Sequence, residues 1–177
     1  MTATTIKQTE SVPEAYPVRP DGLSAAAAAI DPDVIWQRIE AYVAYRWSER
    51  DVEWIVEGCG DWSPPLAPAT IATVEIWQGD AWETVTLSPS AVGGYCLRGG
   101  TYRFAGTVGG DVPAAVLEAF RRLAEYMAAD TGNPGATSER IEIPGVQTTE
   151  ISRSAPWMAR AMQNSGAGDL LRAYRRA

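Results

Sequence analysis

Two pairs of closely spaced acids are the first residues here that could do chemistry: Asp51 with Glu53, and Glu139 with Glu142. Two carboxylates facing each other across a cleft are the machinery of glycoside hydrolysis. Nothing in the spacing makes either pair face across a cleft, and most acids are solvated surface charges. The chain has no histidine. That removes the commonest general base and zinc ligand, and it forbids a Ser-His-Asp or Cys-His arrangement. The two cysteines, Cys59 and Cys96, lack CxxC spacing and read as small hydrophobes or thiols outside any disulfide. Gly99-Gly100 and the stretch from Gly106 to Gly110 do not match G-x-G-x-x-G, and no lysine follows them, so they read as turns. The expectation is a chain that is not an enzyme, with no catalytic, cofactor-binding or metal-binding residue and no cofactor.

Seven tryptophans are the unusual feature: Trp36, Trp47, Trp54, Trp62, Trp77, Trp82 and Trp157. Their structural reading is core and subunit contact, since tryptophan is enriched at interfaces. Their functional reading is a platform that stacks on sugars. Trp77 and Trp82 flank a predicted hairpin turn and are the candidates for exposure.

These residues need a framework. The 177 residues, 46% hydrophobic, suffice for one domain with a real core plus extensions. No run approaches the roughly 20 apolar residues that span a bilayer. No export signal is read near the N-terminus, so synthesis and assembly in the cytoplasm are expected. The net charge of −7 is unevenly spread. From Arg153 onward five arginines face one acid, Asp169, giving +4, so residues 1–152 carry −11. An acidic body argues against duplex-DNA binding. A basic end on such a body reads either as a docking segment for an acidic partner or as a solvated tail.

Along the chain, residues 1–30 read as an extended arm punctuated by Pro13, Pro17 and Pro20. Asp31-Pro32 opens a helix with a capping acid and a proline at its first position. Ile35, Ile39, Tyr42 and Val43 form its buried face, and its end is expected near Trp47 or Ser48. Val52 to Val56, Thr70 to Trp77 and Trp82 to Leu87 read as strands, the last two joined by a turn at Gly79. Tyr95 to Leu97 and Thr101 to Ala105 read as a second hairpin across Arg98-Gly99-Gly100. Pro113 to Ala129 is the best helix, with the apolar stripe Val116, Phe120, Leu123 and Met127, an expected cap at Asp111 and an Arg121–Glu125 pair. Two short helical stretches follow, Pro156 to Gln163 and Asp169 to Arg175, each too short to stand alone. The fold class expected is α+β: an N-terminal helix, a small antiparallel region of hairpins, one long amphipathic helix and an extended C-terminal arm. The organisation expected is an arm over 1–30, a core domain over 31–130, and a linker with a docking arm over 131–177.

The serial order of several short motifs carries a resemblance. Ser63-Pro64-Pro65-Leu66 precedes Thr73-Val74-Glu75-Ile76-Trp77. Gly94-Tyr95-Cys96-Leu97, Thr101-Tyr102-Arg103-Phe104 and Val108-Gly109-Gly110-Asp111-Val112-Pro113 follow, and the chain closes on Leu170-Leu171-Arg172-Ala173-Tyr174-Arg175-Arg176. In this order the chain resembles the head–tail connector (adaptor) family of long-tailed bacteriophages and gene transfer agents. The likeness covers somewhat over half the chain. The long N-terminal extension and the stretch from Gly132 to Ser154 depart from the family pattern.

The resemblance implies a structural role in the neck of a virion or gene-transfer particle. Such subunits form a homo-oligomeric ring, generally of twelve, that binds the portal protein on the head side and a stopper or other neck protein on the tail side. DNA passes through the ring without sequence-specific binding, and no membrane is involved. The residues that would dock on the portal are Leu170, Leu171, Arg172, Tyr174, Arg175 and Arg176, with the arginines pairing with portal carboxylates. Ile35, Ile39, Val116, Phe120, Leu123 and Met127 would serve core and subunit packing. The competing readings are a stopper or tail-completion protein, a tryptophan-rich carbohydrate-binding module, and a small hydrolase built on carboxylates.

Overall fold

The computed structural model describes residues 2–129, 138–143, 147–152 and 158–175, with 138–143 and 147–152 described by their backbone. The chain forms two compact units. One comprises Met1–Pro17, Glu40–Val112 and Tyr174–Ala177, and the other Val18–Ile39 and Pro113–Ala173.

The first unit is built on a six-stranded antiparallel sheet: β1 (Thr4–Glu10), β2 (Arg50–Trp62), β3 (Ala69–Gln78), β4 (Ala81–Thr84), β5 (Ser88–Pro89) and β6 (Tyr95–Val108). The order is β1-β2-β6-β3-β4, with β5 paired to the start of β6. Alternation explains β2. Val52, Trp54 and Val56 point inward, while Asp51, Glu53, Ile55 and Glu57 point to the other face. The inward residues pack with Tyr102, Phe104 and Val108 of β6, with Trp62 and Leu66, and with Ile71, Val74 and Ile76 of β3. Trp62 stacks on Phe104 with ring centroids 4.2 Å apart.

The α+β expectation with a small β region is overturned: this sheet is the dominant element, and among the described residues only one helix is long. Three local corrections account for the difference. First, β2 runs past the expected end of the strand at Val56 to Trp62, because the ladder takes up a bulge in which Gly58 (φ +119°) faces two residues of β6 instead of ending there. Second, Arg98-Gly99-Gly100 is not a hairpin turn. Tyr95–Val108 is one strand that pairs along β2, and its two glycines form that bulge opposite Gly58. Tyr102 Oη donates to the Gly99 carbonyl at 3.0 Å and accepts the Arg98 N–H at 3.3 Å, strapping the irregularity. Third, the supposed N-terminal arm supplies an edge strand, β1, paired along β2. The predicted β3–β4 hairpin is present, with Gly79 at φ +65° in its turn.

The second unit holds α1 (Ala25–Ala28), most of α2 (Pro32–Tyr42), α3 (Ala114–Ala128), a paired β7 (Ser138–Ile143) and β8 (Gln147–Ser152), α4 (Ala161–Asn164) and α5 (Ala167–Leu170). A 3₁₀ turn follows over Arg172–Tyr174. The Asp31 carboxylate accepts the Asp33 N–H at 3.0 Å, as a helix cap should. The helix ends at Tyr42, short of the expected Trp47. In α3, Val116, Phe120 and Leu123 are fully buried and Met127 is half-buried. Ile35 and Ile39 are buried, and Trp36 meets Phe120 at 4.9 Å. Asp111 does not cap α3, whose N-cap is Pro113 with no side-chain acceptor. Glu125 pairs elsewhere: both its oxygens accept from Ser24, from the backbone N–H at 2.6 Å and the hydroxyl at 2.7 Å. Arg121 and Arg122 turn to Glu118 instead. Helices α4 and α5 contact α3, so the short helices find their partner within this chain. Among the described residues no helix is long and apolar enough to cross a membrane.

Candidate functional site

The C-terminal segment carries most of the residues expected to bind a partner. Leu171 is fully buried and Leu170 half-buried, while Arg172 and Arg175 are exposed. Tyr174 is tied down within the first unit. Its carbonyl accepts the Ala44 N–H at 3.1 Å. Its ring meets Tyr45 edge-on at 5.2 Å and Trp47 at 5.9 Å. Arg175 lies over the Tyr42 ring at 4.7 Å and donates to its hydroxyl at 3.3 Å. Arg176 lies outside the described residues. The segment thus uses its apolar side chains as internal anchors and leaves Arg172 and Arg175 facing solvent.

The open face of the sheet is the second candidate. Asp51, Glu53, Glu57 and Asp61 run along β2 on that face, a mostly acidic row. Asp51 and Glu53 share an open groove of about 500 Å³ with Thr9, Ser11, Ala105 and Thr107. The structure therefore brings one suspected carboxylate pair to one groove. A general acid needs a carboxyl held in an apolar, enclosed pocket, whereas Asp51 is exposed and Glu53 half-exposed. The side chains of Glu139 and Glu142 lie outside the described residues. Among the described residues no group of three or more His, Cys, Asp or Glu side chains is placed to hold a metal ion.

Four tryptophans, Trp36, Trp47, Trp54 and Trp62, are core. Trp157 lies outside the described residues. Trp77 and Trp82 stand on the open face as a T-shaped pair 5.1 Å apart, with Trp77 44% exposed. Arg103 covers Trp82 at 4.8 Å and is held by Glu75 at 2.6 Å.

Sequence reasoning missed the polar network at the start of β2. Glu40 and Arg50, both buried, pair at 2.9 Å, and Glu40 also accepts the Trp47 N–H at 3.2 Å. Arg46 donates to both oxygens of Glu10, at 2.7 and 3.1 Å, and to the Glu40 carbonyl at 2.9 Å. Burial raises the Glu40 pKa above the ordinary carboxyl value, outweighing the Trp47 hydrogen bond and the Arg50 and Arg46 charges that pull it down. Glu125 is shifted the other way, held below its ordinary value chiefly by the Ser24 backbone N–H and then by the Ser24 hydroxyl. The signal for the buried pair was present. Arg50 falls on the inward parity of β2, and Glu40 sits one helical turn after Trp36 on a buried stripe.

No family model matches this chain, and no curated protein or solved structure matches it either.

Proposed function

We propose that this chain is a non-enzymatic subunit of the head–tail adaptor ring of a tailed-phage-like particle, binding the portal protein through its C-terminal segment. The observation that carries the reading is the anchoring of that segment. Leu171 is buried within the second unit and Tyr174 is tied down within the first, so Arg172 and Arg175 each follow from a held stretch of backbone. A pre-positioned arginine loses less freedom on pairing with a partner carboxylate. The acidic row along β2 adds support, since a like-charged surface hinders DNA from adhering in a channel. The motif order Pro64-Pro65-Leu66, Tyr102-Arg103, Val112-Pro113 and Leu170-Leu171 supports the family by resemblance. On this reading the subunit works in the particle neck, in a ring of copies, with a stopper or other neck protein on its far side.

The test is binding of the full chain, and of an Arg172→Glu/Arg175→Glu version, to purified portal rings. Charge reversal is preferred to truncation, because truncation would remove the fully buried Leu171. Binding by the parent and loss in the variant is the expected result. No binding by the folded parent sinks the reading. A stopper would join the same neck without needing these arginines, so undiminished binding of the variant to tailless heads favours that assignment.

Trp77 favours one reading of another class, a carbohydrate-binding module. An indole 44% exposed beside Trp82 and the Arg103–Glu75 pair has the parts for stacking and hydrogen bonding to a sugar. Quenching of tryptophan fluorescence by neutral sugars, lost in Trp77→Ala, is what that reading requires.

A further inference from the structure

We propose that the groove over Asp51 and Glu53 is the docking site for an extended segment of another protein, one that carries arginine or lysine at two alternate positions. The inference stands on the groove alone and does not depend on the portal reading. Strand register builds the floor. Ile71 lies opposite Gly106 and Thr73 opposite Ala105, so Ala72 is the extra residue of a bulge in β3. A β-carbon at Gly106 would run into the Thr70 carbonyl, so that position stays bare. With Ala72, Ala105 and Gly106 together, this floor has no side chain longer than a methyl group, and an open volume of about 500 Å³ is left above it.

The rim supplies the charge. Asp51 and Glu53 are two residues apart on β2 and leave the sheet on the same face, which spaces them by about 6.6 Å at the rise of a strand. Their cross-strand neighbours are neutral: Thr9 and Ala105 flank Glu53, and Ser11 and Thr107 flank Asp51. The Asp51 N–H donates to the Ser11 hydroxyl at 3.0 Å, which holds this end of the rim in place. Nearby charges are committed elsewhere, Glu10 to Arg46 and Arg103 to Glu75. Lys7 lies opposite Ile55, one diagonal step from Glu53. Among the described residues neither Asp51 nor Glu53 forms an ion pair. Two such carboxylates are matched by two cations at the same interval. An extended segment repeats its same-face side chains at every second residue, whereas a helix does so at every third or fourth. The methyl floor suits the methylene stems of arginine or lysine, and their charged ends reach the rim. No two of this chain's 15 basic residues are separated by a single residue. A second copy therefore lacks the matching segment, and the occupant is a different protein.

The experiment follows the fluorescence anisotropy of two labelled peptides of one composition, Thr-Arg-Thr-Arg-Thr and Thr-Thr-Arg-Arg-Thr, titrated with the full chain. It compares the parent with Asp51→Asn/Glu53→Gln and with Glu57→Gln/Asp61→Asn. The second variant removes the same charge from the same face outside the groove. The alternating peptide should bind the parent about tenfold tighter than its isomer, and the groove variant should lose that binding while the control variant keeps it. Ala105→Leu, which fills the floor and keeps both carboxylates, should weaken binding as well. The circular dichroism of each variant checks its fold. Equal binding of the two peptides, equal weakening by the two charge variants, or undiminished binding in folded Ala105→Leu overturns the site, because general acidity would then explain the attraction. No binding by the parent overturns it too. Displacement of the peptide by spermidine at equal concentration shows that any polycation suffices and overturns the extended segment as the occupant.

Discussion

Glu40 and Arg50 hold each other at 2.9 Å with only 5% of either side chain exposed. They link the end of α2 to the start of β2, the point where helix gives way to sheet. Arg50 also donates to the Ser48 carbonyl at 3.2 Å, and its guanidinium lies 5.6 Å from the centre of the Tyr16 ring. Removing one member leaves the other charged, buried and without its ion partner. Glu40→Ala or Arg50→Ala should each cost about 3–5 kcal/mol in urea unfolding, and Glu40→Leu with Arg50→Met should cost less than either single change. A double variant as unstable as the sum of the singles would show that the two act independently.

The two shifted carboxyls give opposite pH slopes in separate windows. Glu40 has a raised folded pKa, so its contribution is full below the unfolded value of 4.5 and is lost as pH rises through the folded one. Glu125 has a lowered folded pKa, so its contribution is present above 4.5 and is lost as pH falls through the folded one. Melting temperature against pH should flatten above 4.5 in Glu40→Gln and below 4.5 in Glu125→Gln. The same flattening in both windows for one variant would break the assignment.

What was legible in the sequence follows from what each element buries. The α3 stripe of Val116, Phe120 and Leu123 repeats at helical spacing because one face alone is buried. Strand β1 was illegible for the opposite reason. Its inward side chains are polar, since Thr5 and Gln8 accept the indole N–H groups of Trp62 and Trp54, and Glu10 receives Arg46. Its pattern of Thr-Thr-Ile-Lys-Gln-Thr-Glu therefore shows no apolar alternation. Gly99-Gly100 misled because a glycine pair serves a turn and a strand bulge equally well, and only the partner strand, with the single Gly58 opposite them, decides. Of the candidate site, the arginines were readable from charge. The anchoring of Tyr174 by Tyr45 and Trp47 was not, because those residues lie far apart in sequence.

The polar lining of β1 makes Gln8 a structural residue. Its Oε1 accepts the Nε1–H of fully buried Trp54 at 2.8 Å. Gln8→Ala strands that donor and should cost about 1–3 kcal/mol. Trp54→Phe in the Gln8→Ala background removes the stranded donor, so the penalty of the Gln8 change should shrink there. Equal penalties in both backgrounds would mean that the hydrogen bond contributes nothing.

Leu171, Tyr174 and Arg172 separate folding from docking within one short stretch. Leu171 is fully buried, so Leu171→Ala should destabilise the chain by about 2–5 kcal/mol. Tyr174→Ala removes two edge-on aromatic contacts worth about 0.5–1.5 kcal/mol each. It should also speed hydrogen exchange at the Ala44 amide, which donates to the Tyr174 carbonyl. Arg172 is exposed, and Arg172→Ala should leave the unfolding midpoint within about 0.5 kcal/mol of the parent. On the adaptor reading, Arg172→Ala weakens portal binding while stability stays unchanged. If it lowers stability and binding together, the arginine supports the fold. If it changes neither, the portal contact lies elsewhere on the molecule, and the acidic face of β2 becomes the surface to vary next.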